Sequence, residues 1–255
     1  MSTPYKSTFN RYEMKYLVPH RAVEKFEGAL GEYVTVDPHC RGRWGYPVHS
    51  VYWDSPSLVL FWEKVEGIKF RRKLRFRRYS GEPKVFVEIK QRIDRTVQKR
   101  RVRLPIDRAR AVFADGAPTG TLTARDGDDG AEGGSPTDPG DPVLSEALLL
   151  VERHGLLPRM SVAYRRRALF GKYEPELRIT FDRRVQFLPT DMDFPTPFDV
   201  GRDLVDPRLV VMEIKYSERV PVWLCKLVSS FGFQMIRLSK YCTAVDRAYY
   251  DNRLT

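Results

Sequence analysis

Apolar and polar side chains alternate along much of this chain, and the alternation predicts strands. Thr8–Val18, Val48–Trp53, Lys69–Tyr79, Lys84–Arg92, Arg95–Leu104, Arg159–Phe170, Glu176–Phe187 and Leu209–Tyr216 have this character. Alternate side chains of a strand point to opposite faces. Helices are predicted over Arg21–Leu30, Leu144–His154 and Val222–Phe231, with a last one from Ser239 or Lys240 to about Asp251. Pro19, Pro142 and Pro221 stand just before the first three, where a missing N–H matters least. Gly31, Gly155 and Gly232 stand just after them as stops.

Most of these strands carry one apolar face and one charged face. Arg11, Glu13 and Lys15 oppose Tyr12, Met14, Tyr16 and Val18. Arg71, Lys73, Arg75 and Arg77 oppose Phe70, Leu74 and Phe76. Glu88, Lys90 and Arg92 oppose Val87 and Ile89, and Arg165 and Arg167 oppose Met160, Val162 and Tyr164. Arg178, Thr180 and Asp182 oppose Ile179 and Phe181, and Glu213 and Lys215 oppose Met212 and Ile214. An ordinary half-solvated antiparallel sheet gives such a pattern too. Here the charged face is biased to Arg and Lys, with a few lone carboxylates among them. A sheet of this length can close, with helices covering its outside. Closure puts the charged face in a lumen, where unpaired cations are costly unless an anion or water meets them.

Composition points the same way. Lys and Arg number 44 against 33 Asp and Glu, a net charge of +11 that favours polyanionic partners. Residues from Asp115 to Pro142 are rich in Gly, Pro and Asp and read as a flexible loop within one domain spanning 1–255. Cys40, Cys225 and Cys242 are far apart and odd in number, against a disulfide framework. With a polar N-terminus and no long apolar run, the expectation is a reduced, cytoplasmic setting, with membrane contact only peripheral. The four His show no metal-ligand spacing, and no Gly-rich phosphate loop is present.

The motifs R-Y-E-M-K-Y (Arg11 to Tyr16), V-Y-W-D-S (Val51 to Ser55), K-L-R-F-R-R-Y (Lys73 to Tyr79) and F-V-E-I-K (Phe86 to Lys90) open a longer series. Y-R-R-R-A (Tyr164 to Ala168), L-R-I-T-F-D (Leu177 to Asp182), V-M-E-I-K-Y (Val211 to Tyr216) and L-S-K-Y (Leu238 to Tyr241) continue it. Together they resemble the VTC domain, the polyphosphate polymerase module of the vacuolar transporter chaperone complex. That domain is one of the triphosphate tunnel metalloenzymes, with the CYTH-type triphosphatases and adenylate cyclases. The resemblance implies an α+β fold, an antiparallel eight-stranded closed β-barrel with helices outside. It implies ATP and polyphosphate or pyrophosphate as partners, and Mn²⁺ or Mg²⁺ as cofactor. Lys15, Arg75, Arg77, Lys90, Arg165, Arg178 and Lys240 would hold phosphates, with Arg11, Lys99, Arg101, Lys215 and Ser239 as further contacts. Glu213 would hold the metal, with Glu88 and Glu13 as additional candidates.

The implied reaction moves the terminal phosphoryl of ATP to a growing polyphosphate chain, which a tunnel open at both ends would let thread away. CYTH triphosphatases carry E-x-E-x-K on the first strand; here Arg11 replaces the first Glu, which favours the polymerase. Arg11 as a structural partner of Glu13 or Glu88 stays open. So do a triphosphatase of the same fold and a non-catalytic polyphosphate-binding module. Nucleic acid is disfavoured, because a duplex cannot enter so small a barrel. On this reading Arg75→Ala or Lys240→Ala removes phosphate binding with little loss of fold.

Overall fold

The computed structural model describes residues 12–40, 42–79, 82–94, 96–113, 141–190 and 201–250. Arg11 and nearly all of the Gly/Asp-rich stretch lie outside them. Only the end of that stretch is described, and it is not loop: Asp141 caps a helix that Pro142 begins.

The eight predicted strands are all present. They are β1 (Tyr12–Pro19), β3 (Tyr46–Asp54), β4 (Phe70–Tyr79), β5 (Lys84–Ile93), β6 (Thr96–Pro105), β7 (Leu157–Gly171), β8 (Arg178–Pro189) and β10 (Leu209–Tyr216). Two short ones, β2 (Val34–Val36) and β9 (Arg202–Asp203), pair with β7 and β8. The order across the sheet is β1-β10-β8-β7-β3-β4-β5-β6, and every pairing is antiparallel.

The expected closed barrel is corrected here: among the described residues, no backbone ladder joins β1 to β6. The free edge of β1 is taken by another segment. Ile236 N donates to the Lys15 carbonyl at 2.8 Å, and Tyr16 bridges to Met235. The sheet nevertheless curls far enough for Lys90 of β5 to reach Glu13 of β1 at 4.0 Å.

The predicted helices are α1 (His20–Leu30), α4 (Pro142–His154), α5 (Val222–Ser230) and α6 (Lys240–Tyr249). Two more were not anticipated, α2 (Val59–Val65) and α3 (Ile106–Phe113). The seven-residue α2 has its N-terminal donors met from upstream. Asp54 accepts from the Leu60 and Phe61 amides, and Ser55 Oγ from that of Val59.

Among the described residues, three buried clusters hold the fold together. The outer face of β3–β6 packs Val51, Trp53, Phe76 and Val87 under α3 and α4. The outer face of β1, β10 and β8 packs Val18, Met212 and Phe181 under α1 and α5. The third cluster lies inside the curl. Leu17, Val48, Tyr52, Met160, Val162 and Val211 meet Phe61 of α2 and Tyr241, Ala244 and Val245 of α6. The curl therefore has a charged section and, at the end where α6 enters, an apolar plug.

Candidate functional site

Cross-strand register brings the inward charges together. Lys15 lies opposite Glu213, and Glu13 opposite Lys215. Arg75 lies opposite Glu88 on one side and Tyr52 on the other, and Arg77 opposite Ser50. Lys90 faces both Lys73 and Lys99.

Two ionic clusters result. In the first, Asp182 accepts both arms of the Arg166 fork at 2.7 Å and the Lys240 ammonium at 2.6 Å. Glu213 accepts from Lys215 (2.7 Å), Lys240 (2.8 Å) and Arg166 (3.2 Å), with Lys15 at 3.5 Å. Burial alone would push both carboxyls up, but the surrounding cations hold them below the usual range. Lys240 is the first residue of α6, where the helix dipole disfavours a cation. Asp182 and Glu213 offset this, and burial is outweighed, so the Lys240 pKa is raised.

In the second cluster, Glu88 accepts from Arg75 at 2.7 Å and meets Lys99 at 2.5 Å, with Arg77 at 3.9 Å. Arg77 also donates to Ser50 Oγ and the Tyr164 hydroxyl. The Tyr164 ring carries the Lys240 ammonium at 4.8 Å and the Arg166 guanidinium at 5.1 Å, so it joins the two clusters. Burial raises the Tyr52 phenol, but Arg75 and Arg77 beside it bring it down to about 8.

Lys90 and Lys99 are about half exposed yet ringed by protein and other cations. Desolvation and the neighbouring positive charges lower Lys90 to about 8 and Lys99 to about 7, against the opposing pull of Glu13 and Glu88. Arg178 donates to Asp37 at 3.1 Å and to the Tyr46 hydroxyl at 3.3 Å. Arg101 is exposed, its guanidinium over the Phe86 ring at 5.0 Å. Ser239 caps α6, and its hydroxyl accepts from Lys73 Nζ at 2.8 Å.

One predicted contact moves. Arg165 is exposed on the outer side of β7, and Arg166 is the inward arginine. Near the plug the inward face of β7 is Met160, Val162 and Tyr164, so the apolar side of this strand faces inward. Reading the charged side as inward therefore picks the wrong neighbour. Gly45, also unanticipated, supports Arg166. It has φ +68°, and a Cβ there would lie 2.0 Å from the Arg166 carbonyl oxygen. Only glycine allows that approach.

At the end where α6 enters, the inward face is packed with apolar side chains rather than charges. Of the metal candidates, Glu13 and Glu213 share Lys15, at 3.0 and 3.5 Å, and offer hard oxygens suited to Mg²⁺ or Mn²⁺. Glu88 stands apart, held in the second cluster. Among the described residues there is no group of three or more His, Cys, Asp or Glu placed to hold a metal. Glu13 is brought down to about 2: burial and Glu213 push it up, and Lys15, Lys215 and Lys90 outweigh them. No described helix is long and apolar enough to cross a membrane.

The model of the VTC domain family matches residues 10–249. No curated protein sequence matches the chain. Among solved structures, an adenylate cyclase candidate from Bacillus halodurans is similar, with TM-score 0.52 and 11% identity, over 96% of this chain and 100% of that one. Another from Vibrio parahaemolyticus has TM-score 0.46 and 14% identity, over 93% and 98%. An adenylyl cyclase candidate from Hippeastrum, described with a dominant triphosphatase activity, has TM-score 0.49 and 13% identity, over 92% and 94%.

Proposed function

The chain belongs to the VTC domain family, and from that premise we propose that it is a metal-dependent polyphosphate polymerase in which residues 1–255 act as one domain. The observation that carries this reading is the inward excess of cations. Lys15, Lys73, Arg75, Arg77, Lys90, Lys99 and Lys240 share the concave face with few carboxylates: Glu13, Glu88, Asp182 and Glu213. A chain of phosphates supplies the missing negative charge.

The chemistry requires little beyond this. A terminal oxygen of the acceptor chain attacks the γ-phosphorus of ATP, the bond to the β-phosphate oxygen breaks, and ADP leaves. Phosphoryl transfer is promoted by positioning and charge neutralisation more than by covalent catalysis. Arg75 and Arg77 present forks suited to phosphate oxygens. Glu88 and Tyr52 hold Arg75 in place, and Ser50 and Tyr164 hold Arg77. Lys240, fixed by Asp182 and Glu213, gives a point charge beside a helix N-terminus, itself favourable to anions. A divalent ion bound by Glu13 and Glu213 would neutralise charge on bridging phosphate oxygens.

Incubation with ATP and Mn²⁺ tests this. Polyphosphate resolved on a gel together with ADP supports the polymerase. Orthophosphate with no polymer supports a triphosphatase, and tight polyphosphate binding with no turnover under either metal supports a binding module.

A further inference from the structure

Asp54, at the end of β3, is a buried acid that belongs to neither ionic cluster. Asp182, Glu213 and Glu88 are each held by cations. The partners of Asp54 carry no charge. Its Oδ1 accepts from the Ser55 amide at 2.8 Å and the Leu60 amide at 2.9 Å. Its Oδ2 accepts from the Phe61 amide at 2.9 Å and from the Tyr241 hydroxyl. Four donors fill the roughly four acceptor positions of a carboxylate, leaving none for a metal ion or a cation. Burial pushes the carboxyl up, against the pull of the Tyr241 hydroxyl and the three amides.

Capping α2 accounts for the amides but not for the phenol. The bond to Tyr241 runs to a different helix and meets it at its first turn. Tyr241 directly follows Lys240, and consecutive residues of a helix point about 100° apart. The helix start is therefore held from two sides. Lys240 reaches Asp182 and Glu213 on β8 and β10, and Tyr241 reaches Asp54 on β3. The Tyr241 ring also lies on Tyr52, with centroids 4.9 Å apart, and Lys73 Nζ sits 5.5 Å from it. Lys240 must meet phosphate while two carboxylates pull on it, so its position depends on how firmly the backbone beneath it is held.

We propose that Asp54 is a positioning residue for phosphate binding: through the Tyr241 hydroxyl it fixes the first turn of α6, and so the place of the Lys240 ammonium in the lumen. This rests on the lumen binding phosphates, as the polymerase reading requires.

The test is a double-mutant cycle on metal-free tripolyphosphate binding by the intact protein, at a temperature where calorimetry shows every variant folded. Tyr241→Phe deletes the hydroxyl and keeps the ring against Tyr52 and Lys73. It should weaken binding about fivefold. In a Lys240→Met background the same change should cost less than about twofold, because the cation it positions is gone. In a Lys99→Gln background it should again cost about fivefold, since Lys99 is held by Glu88 in the other cluster. Asp54→Asn should repeat this pattern with a lower Tm, because it also disturbs the amides of α2; if that variant does not fold, Tyr241→Phe still decides. Unchanged affinity in Tyr241→Phe, whatever its Tm, would make the bond a contact of the fold alone and overturn the proposal. So would a loss of equal size in the parent and Lys240→Met backgrounds. A parent that binds no tripolyphosphate would instead remove the lumen reading itself, and the positioning role with it.

Discussion

Lys240 Nζ lies 2.6 Å from Asp182 Oδ2, so the first residue of α6 is tied into the wall of the sheet it plugs. The sequence alone placed Lys240 among phosphate contacts that could be truncated with little effect on folding. The structure makes it a structural tie as well.

Lys240→Met should therefore weaken both phosphate binding and stability. It leaves Asp182 with Arg166 and Glu213 with Arg166, Lys215 and Lys15, so neither carboxylate is stranded. The loss should be about 2 kcal/mol, below the full penalty for stranding a buried charge, or a fall of about 6 °C in Tm. An unchanged Tm in calorimetry would show that the tie is energetically neutral.

Glu88 predicts an acid limit. Its side chain is 1% exposed, and Arg75, Arg77 and Lys99 hold its carboxyl below the ordinary 4.5 despite burial. A carboxyl depressed in the folded state adds stability above its unfolded pKa and loses it as pH falls toward the folded value. Tm should drop steeply below about pH 4.5. Glu88→Gln should unfold earlier at neutral pH and show a shallower acid decline. Parallel Tm-against-pH curves for the two proteins would count against this.

The lysines predict the opposite dependence for binding. Lys90 is lowered to about 8 and Lys99 to about 7, so both lose charge within the working range. A bound polyanion favours the charged forms. Polyphosphate affinity should fall from pH 6.5 to 9, and binding near pH 8 should take up protons. Titration calorimetry in buffers of differing ionisation enthalpy reads that uptake. Lys90→Arg/Lys99→Arg should reduce it while keeping affinity, because guanidinium does not titrate there, leaving the share of the Tyr52 phenol, which also titrates near 8.

Much of the fold could be read from alternation, since all eight long strands and their apolar faces follow from period-two patterning. What escaped has physical causes. The edge of β1 is taken by the segment around Ile236, which has no strand pattern, so hydrogen-bonded closure was expected where a side-chain seam exists. Arg166 was missed because inward side chains near the plug are apolar, which inverts the rule that marks Arg71 to Arg77. Glycine in the G-R-W-G stretch before β3 was the available clue to that arginine, but only the approach of Gly45 to the Arg166 carbonyl gives it meaning.

Gly45→Ala tests that approach. A Cβ would sit 2.0 Å from a backbone oxygen that no rotamer change can move, at φ +68°. The strand must shift, at a cost of about 2 kcal/mol or more, and Arg166 shifts with it. Earlier thermal unfolding and weaker phosphate binding should appear together. A stable variant with normal binding would show that Arg166 does not depend on this contact.

Glu13 and Glu213 separate metal holding from structural pairing. Glu213 is 6% exposed at its side chain and contacts Lys15, Arg166, Lys215 and Lys240, so Glu213→Gln disturbs all four and should lower Tm. Glu13 is 26% exposed and contacts Lys15 at 3.0 Å and Lys90 at 4.0 Å, so its replacement disturbs less. Glu13→Gln should leave Tm within about 2 °C. It removes one negative charge facing the phosphates, so metal-free polyphosphate binding should hold or tighten. If the carboxylate holds the divalent ion, the Mn²⁺ concentration for half-maximal turnover should rise about tenfold or more. A metal titration of turnover, set beside metal-free binding, distinguishes the roles. An unchanged Mn²⁺ midpoint would assign Glu13 to orienting Lys15 alone.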